Sequence, residues 1–220
     1  MQGLAKHTAV VFSSVSKLPC LKEYTLIGGT ALALQINKRK SEDLDFCVWS
    51  KNLKKDKPTV NWPVIEKELK SAGRISSRDV LGFDQVNFTV NGIRITFIAK
   101  QTNLTPVNKP VTILNNISAA DLNAIGAMKI ELILRRSEFK DYYDIYSILQ
   151  EGKSLKKLIM AASKYSNHLL KTRDALSFLS NGNYFKKDKS FALLDPFYDI
   201  DHKGIEDFIK SLITKEFNNR

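Results

Sequence analysis

Residues 27–46 read Ile27-Gly28-Gly29-Thr30, then twelve residues, then Asp43-Leu44-Asp45-Phe46. Tyr24-Thr25-Leu26-Ile27 predicts a short apolar strand stopped by two glycines. Thr30 to Ile36, rich in Ala and Leu, predicts a compact helix that begins at once, and Leu44 to Trp49 predicts the next strand. A strand, a glycine corner, a helix and another strand so close together commit this part of the chain to a mixed α/β layer. The same residues suggest chemistry. Glycine lets a phosphate approach the backbone, the helix start offers free N–H groups, and Thr30 adds a hydroxyl. Alternation places Asp43 and Asp45 on one strand face and Leu44 and Phe46 on the other. Two adjacent carboxylates repel unless a cation lies between them, and such hard oxygen donors suit Mg²⁺ together with substrate phosphates. Taken singly, a double glycine is ordinarily a turn and an Asp-x-Asp a solvated strand end. Joined by one helix and flanked by apolar residues, they point to nucleotidyl transfer.

The rest of the first half continues the mixed pattern. Helical spacing runs from Leu4 to Leu18, and an amphipathic helix runs from Pro63 to Ala72, with proline suited to its first turn. Gln85 to Val90 and Ile93 to Ala99 flank Asn91-Gly92, a strong hairpin signal, and Val111 to Leu114 adds an edge strand. Near Asn115-Asn116 the pattern changes. Helical stretches follow at about 118–136, 138–150, 154–166, 167–180 and 203–217, with a loop over 181–201. The expected architecture is α/β (α+β): a domain with a small mixed sheet over residues 1–115, then a helical bundle over 116–220.

Charge narrows the partners. The chain carries 34 Lys+Arg and 23 Asp+Glu, a net +11. Residues 1–115 hold 17 basic and 9 acidic residues and residues 116–220 hold 17 and 14, so most of the surplus lies with the glycine and aspartate signature. The balance favours an anionic partner. No apolar run is long enough to span a bilayer and no signal peptide is read at the N-terminus, so a membrane partner is not expected. Cys20 and Cys47, without a CxxC, fit free thiols in a reducing cytoplasm, Cys47 as a buried one. Lys51, Lys54, Lys55 and Lys57 form a charged loop, ordinarily just solvated, that could meet RNA phosphates. Asp195, Asp199, Asp201 and His202 share one loop whose spacing fits a turn better than a metal site.

The glycine pair followed by Asp43-x-Asp45 resembles the signature of the polymerase-β-like nucleotidyltransferase superfamily. The fuller run, Gly-Gly-Thr-Ala-Leu-Ala-Leu and then Arg39-Lys40-Ser41-Glu42-Asp43-Leu44-Asp45-Phe46, resembles more narrowly the AbiEii/AbiGii abortive-infection toxin family, with its Arg-x-Ser-x-Asp-Ile/Leu-Asp-Phe pattern. Ala127-Met128-Lys129 and Lys140-Asp141-Tyr142-Tyr143-Asp144-Ile145 are similar to two later elements of that family, so the resemblance spans about residues 24–150. It implies a nucleotide site at Gly28, Gly29, Thr30, Arg39, Ser41 and Lys129, metal ligation by Asp43 and Asp45 with Mg²⁺ or Mn²⁺, and an active-site role for Lys129 and for an aspartate of the second run, for which Asp141 is a nearer match than Asp144.

Two of these positions can be weighed without the family. Lys129 shares a helix face with Leu122, Ile125, Gly126 and Ile133. A lysine in an apolar stripe either snorkels from the core edge or reaches as a cation towards a triphosphate in an interdomain cleft. Asp141 and Asp144, at i and i+3, share a face that is either solvated or functional. One departure from the superfamily pattern stands out. A third carboxylate is expected on the strand Gly92 to Ile98, where this chain has Thr96, and Asp84 is the nearest replacement.

The expected activity is Mg²⁺-dependent transfer of a nucleoside monophosphate from a triphosphate to an acceptor hydroxyl; the resemblance implies an acceptor on an RNA or tRNA 3′ end or a protein, and a toxin–antitoxin or phage-defence setting with an antitoxin partner. The alternative, favoured by Thr96, is a non-catalytic nucleotide- or RNA-binding protein that kept the fold.

Overall fold

A computed structural model describes residues 1–50, 58–101, 105–186 and 189–217. The chain falls into two units, Met1–Asp121 and Leu122–Arg220. The lysine run at 51–57 lies outside the described residues.

The first unit is built on one seven-stranded mixed sheet. Its elements are α1 (Lys6–Val15), β1 (Thr25–Ile27), α2 (Gly28–Ile36), β2 (Leu44–Ser50), α3 (Trp62–Ala72), β3 (Ile75–Gly82), β4 (Gln85–Val90), β5 (Ile93–Gln101), β6 (Val111–Leu114) and β7 (Ile117–Ala119), with a 3₁₀ turn at Pro19–Glu23. The strand order is β3-β4-β5-β2-β1-β7-β6. β2 pairs with β5, and β1 with β7, in parallel; the other pairs are antiparallel.

Register explains why the sheet has two unlike faces. Directly opposed residues point the same way, so Leu26, Phe46, Phe97 and Val86 form one row, and Leu44, Ile95 and Phe88 another. All seven are fully buried. Phe97 stacks on Phe46 at 5.4 Å and meets Tyr24 edge-on at 5.2 Å. α1 packs on β5 and α3 on β4, adding Val11, Phe12, Val15, Ile65 and Leu69 to the core. Side chains buried this fully each contribute about 1.5–3 kcal/mol, so this face holds the sheet together. The opposite face carries Asp45, Thr96 and Asn87 in one row, where little such stabilisation is available.

The Asn91-Gly92 hairpin forms as its sequence predicts. Asn91 (φ 48°) and Gly92 (φ 81°) are both left-handed, which matches the twist of β4 and β5. Two strands depart from expectation. β3 is exposed along most of its length, an edge strand with no apolar alternation to reveal it. β7 lies where a helix was expected from residue 118. It pairs with β1 and belongs to the first unit, and the helix starts only at Leu122.

The second unit is helical: α4 (Leu122–Leu132), α5 (Phe139–Gln150), α6 (Leu155–Tyr165), α7 (Thr172–Leu179) and α8 (His202–Phe217), with 3₁₀ turns at Gly182–Tyr184 and Lys189–Leu194. α4 packs against α5 and α6, and α8 against α5, α6 and α7. Near the end of α8, Glu216 accepts hydrogen bonds from Ser154 Oγ (2.6 Å), Leu155 N (3.2 Å) and Lys156 N (2.8 Å), closing the start of α6.

Candidate active site

The corner between β1 and α2 is shaped by two glycines. Gly28 sits at φ +71°, and a Cβ there would lie 3.1 Å from Asp45 Oδ2. At Gly29 a Cβ would lie 2.5 Å from Arg39 Nη2 and 3.3 Å from Ser41 Oγ. The pair therefore lets a carboxylate and a guanidinium come up against the start of a helix. Ile27, at the N-cap, has no side chain to cap the first turn, and no acid stands in that turn. This arrangement leaves a helix start available to an anion.

Arg39, Ser41 and Thr30 are buried. Thr30 Oγ1 is hydrogen-bonded with Ser41 Oγ at 2.8 Å and also bonds the Asp43 carbonyl. Arg39 Nη1 donates to the Lys40 carbonyl at 2.8 Å. The first turn of α2 is thus tied to the segment that leads into β2, and the spacing of the two halves of the signature is fixed by these bonds.

Asp43 directly precedes β2. Asp45, within it, pairs with Thr96 on β5, and Thr96 with Asn87 on β4. Thr96 is buried. Among the described residues, Asn87 Oδ1 is buried without a hydrogen-bond partner. Asp43 Oδ2 accepts a 2.6 Å hydrogen bond from Arg94 Nη2. Arg94 was missed in the sequence because the register that sets Arg94 beside Asp43 is not visible there.

Asp43 and Asp45 offer hard carboxylate oxygens, Thr96 a hydroxyl, and the missing side chain at Gly28 leaves room before Asp45 Oδ2. These residues fit a cation held by two carboxylates with its remaining positions left to phosphate and water. No group of three or more His, Cys, Asp or Glu able to hold a metal occurs among the described residues. Asp84 does not join Asp45: its carbonyl accepts from Ala99 N, three residues along β5 from Thr96, and its carboxylate lies against Gly82. In the second unit, Asp201 Oδ1 accepts from Gly204 N at 2.8 Å and caps α8, so that part of the acidic loop has a structural role.

The second unit also holds a buried ionic cluster. Lys129 on α4 lies 2.7 Å from Asp141 Oδ1 and 2.7 Å from Asp144 Oδ2 on α5. Arg136 Nε donates to Asp141 Oδ2 at 2.8 Å. Lys129 is 5% exposed, Asp141 0% and Asp144 1%, so the lysine does not snorkel and the aspartates do not form a solvated face. Burial opposes charge on Asp141, but Lys129 and Arg136 overcome it and hold the carboxyl below its ordinary range. Arg136, beyond the end of α4, carried no sequence signal for this role.

The sequence profile of the AbiEii nucleotidyl transferase toxins of type IV toxin–antitoxin systems matches residues 11–216. The chain belongs to this family. Its sequence is also 24% identical over 226 residues to an uncharacterized protein of Aquifex aeolicus, with both chains fully covered. Two solved structures share its fold. The JHP933 protein of Helicobacter pylori superposes with a TM-score of 0.53 at 17% identity, covering 96% of this chain and 90% of that one. A provisionally assigned nucleotidyltransferase of H. pylori superposes with a TM-score of 0.53 at 14% identity, covering 98% and 95%. Like the AbiEii profile, these likenesses extend past residue 150, where the recognised motifs end. No helix among the described residues is long and apolar enough to cross a membrane.

Proposed function

We propose that this AbiEii-family chain transfers a nucleoside monophosphate from a triphosphate to an acceptor hydroxyl on RNA or protein, with Mg²⁺ or Mn²⁺. The observation that carries this reading is the corner itself: the uncapped start of α2 adjoins Asp45, whose Oδ2 would lie 3.1 Å from a Cβ at Gly28. Gly28, Gly29 and Thr30 receive the β- and γ-phosphates. Arg39, under Gly29, adds positive charge to that cradle, and Ser41 keeps Thr30 in place. Asp43 and Asp45 hold the cation, which supplies charge neutralisation at the α-phosphate when bound. The acceptor oxygen bonds the α-phosphorus, the bond to the bridging oxygen breaks, pyrophosphate leaves with the electron pair, and the hydroxyl proton passes to water. Lys129, oriented by Asp141 and Asp144, is assigned a supporting role in transfer. An antitoxin partner follows from the family's type IV toxin–antitoxin description.

The test is incubation with each α-labelled nucleoside triphosphate, Mg²⁺ and either total RNA or total protein. Label transfer that disappears in Asp43→Ala and Asp45→Ala supports the reading. No transfer in any mixture, or equal transfer by these variants, sinks it. Thr96 beside Asp45 favours one second reading, a nucleotide-binding protein without catalysis. That reading predicts nucleotide binding by the wild type, which survives chelation of Mg²⁺, with no label transfer.

A further inference from the structure

β2 and β5 run parallel, with Leu44 beside Ile95 and Asp45 beside Thr96. One step back in the same register, Asp43 meets Arg94, and their ion pair is 2.6 Å long. Arg94 and Thr96 are two apart on one strand, so they share the face that carries Asp45. Of the two carboxylates that fit a metal, one already faces a resident cation.

The ion pair has little structural purpose. The Arg94 and Asp43 side chains are 59% and 43% exposed, and ion pairs in water add little to stability. A pair this weak can be exchanged. A divalent cation seeking both carboxylates must compete with Arg94 for Asp43. A triphosphate arriving with that cation offers the guanidinium new oxygens, in the planar two-donor geometry that arginine matches well.

We propose that Arg94 is a phosphate-receiving residue. It holds Asp43 while the site is empty, and passes from that carboxylate to the triphosphate as metal and nucleotide bind. The inference rests on the metal and phosphate sites proposed above. It makes the site bind metal weakly alone and more strongly with polyphosphate, a positive coupling between the two ligands.

The experiment measures binding rather than transfer. Mn²⁺ affinity of the full chain is read by electron paramagnetic resonance, alone and with inorganic tripolyphosphate, for wild type, Arg94→Ala and Arg94→Lys. Arg94→Ala is expected to bind Mn²⁺ alone about two- to fivefold more tightly, the scale of one exposed ion pair. It should bind tripolyphosphate with Mn²⁺ about fivefold or more weakly, because a charge-assisted contact is lost. Arg94→Lys should fall between the two, keeping the charge but not the fork. A merely structural arginine would not move the two affinities in opposite directions. Mn²⁺ affinity that is unchanged or lower in Arg94→Ala, or tripolyphosphate affinity that is kept, overturns the inference, as does a wild type that binds no Mn²⁺. Failure of transfer by the wild type, with the opposed shifts present in Arg94→Ala, would remove the transferase reading and leave this one standing.

Discussion

At Gly28 a side chain would have two costs. Its φ of +71° is a left-handed conformation that costs an L residue about 1–2 kcal/mol, and the new Cβ would stand 3.1 Å from Asp45 Oδ2. Gly28→Ala is therefore expected to lower the midpoint of thermal unfolding, and to weaken Mn²⁺ binding by more than that loss of stability accounts for, since Asp45 must move. Wild-type Mn²⁺ affinity in a destabilised Gly28→Ala would detach this glycine from the metal site. A second prediction belongs to Cys47, fully buried on β2. Burial pushes its thiol up to about 12, and burial with the nearby Glu68 does the same for Cys20. Only a thiolate reacts quickly. Both cysteines should resist a thiol-specific reagent at pH 8 in the native protein and react promptly in denaturant. Rapid native labelling of Cys47 would contradict its burial.

The pair α4 and α5 depends on charges that no water reaches easily. Breaking a buried ion pair outright costs about 3–5 kcal/mol; the loss of Asp141 leaves Lys129 with Asp144 but removes its second carboxylate and the Arg136 contact, so that figure is an upper bound here. Asp141→Asn is expected to lose stability in denaturant unfolding by an amount below that bound. The pH dependence has a definite sign. Asp141 titrates below its ordinary 3.8 in the folded chain, so its contribution is complete above that value and is lost as pH falls through the lower folded one. The wild type should lose this increment only in that acid range, and Asp141→Asn should show a flatter acid limb. An equally steep limb in the variant would place the acid sensitivity elsewhere. This cluster was half legible in the sequence. Lys129 stood in an apolar stripe and two aspartates shared a helix face, but only folding shows that they meet, and that Arg136 joins them. The same limit appears in the sheet. The glycine corner, the Asp-x-Asp strand and the Asn-Gly hairpin announce themselves through local backbone demands. β3 and β7 do not, since one is a polar edge and the other is three residues long. Parallel register, which sets Arg94 beside Asp43 and Thr96 beside Asp45, leaves no local trace because the partners are some fifty positions apart.

At the scale of the whole chain, the surplus of charge bears on the acceptor. Of the net +11, the unit Met1–Asp121 holds 17 basic and 10 acidic residues, a net +7. Charge of this kind attracts a polyanion through release of its counterions, and each phosphate contacted on a single strand steepens the salt dependence by about 0.7 in the logarithmic slope. A protein hydroxyl offers no such train of phosphates. If RNA is the acceptor, raising KCl from about 50 to 200 mM should suppress label transfer to RNA severely, at least tenfold for three or more contacts. Binding of a single triphosphate over the same range should weaken much less, because its contacts are few and local to the glycine corner. Transfer to a protein acceptor should follow the triphosphate and not the steep curve. Measuring transfer and nucleotide binding side by side across the titration therefore separates the two acceptors: parallel shallow curves would exclude RNA, and a steep transfer curve over a shallow binding curve would assign the surplus charge to it.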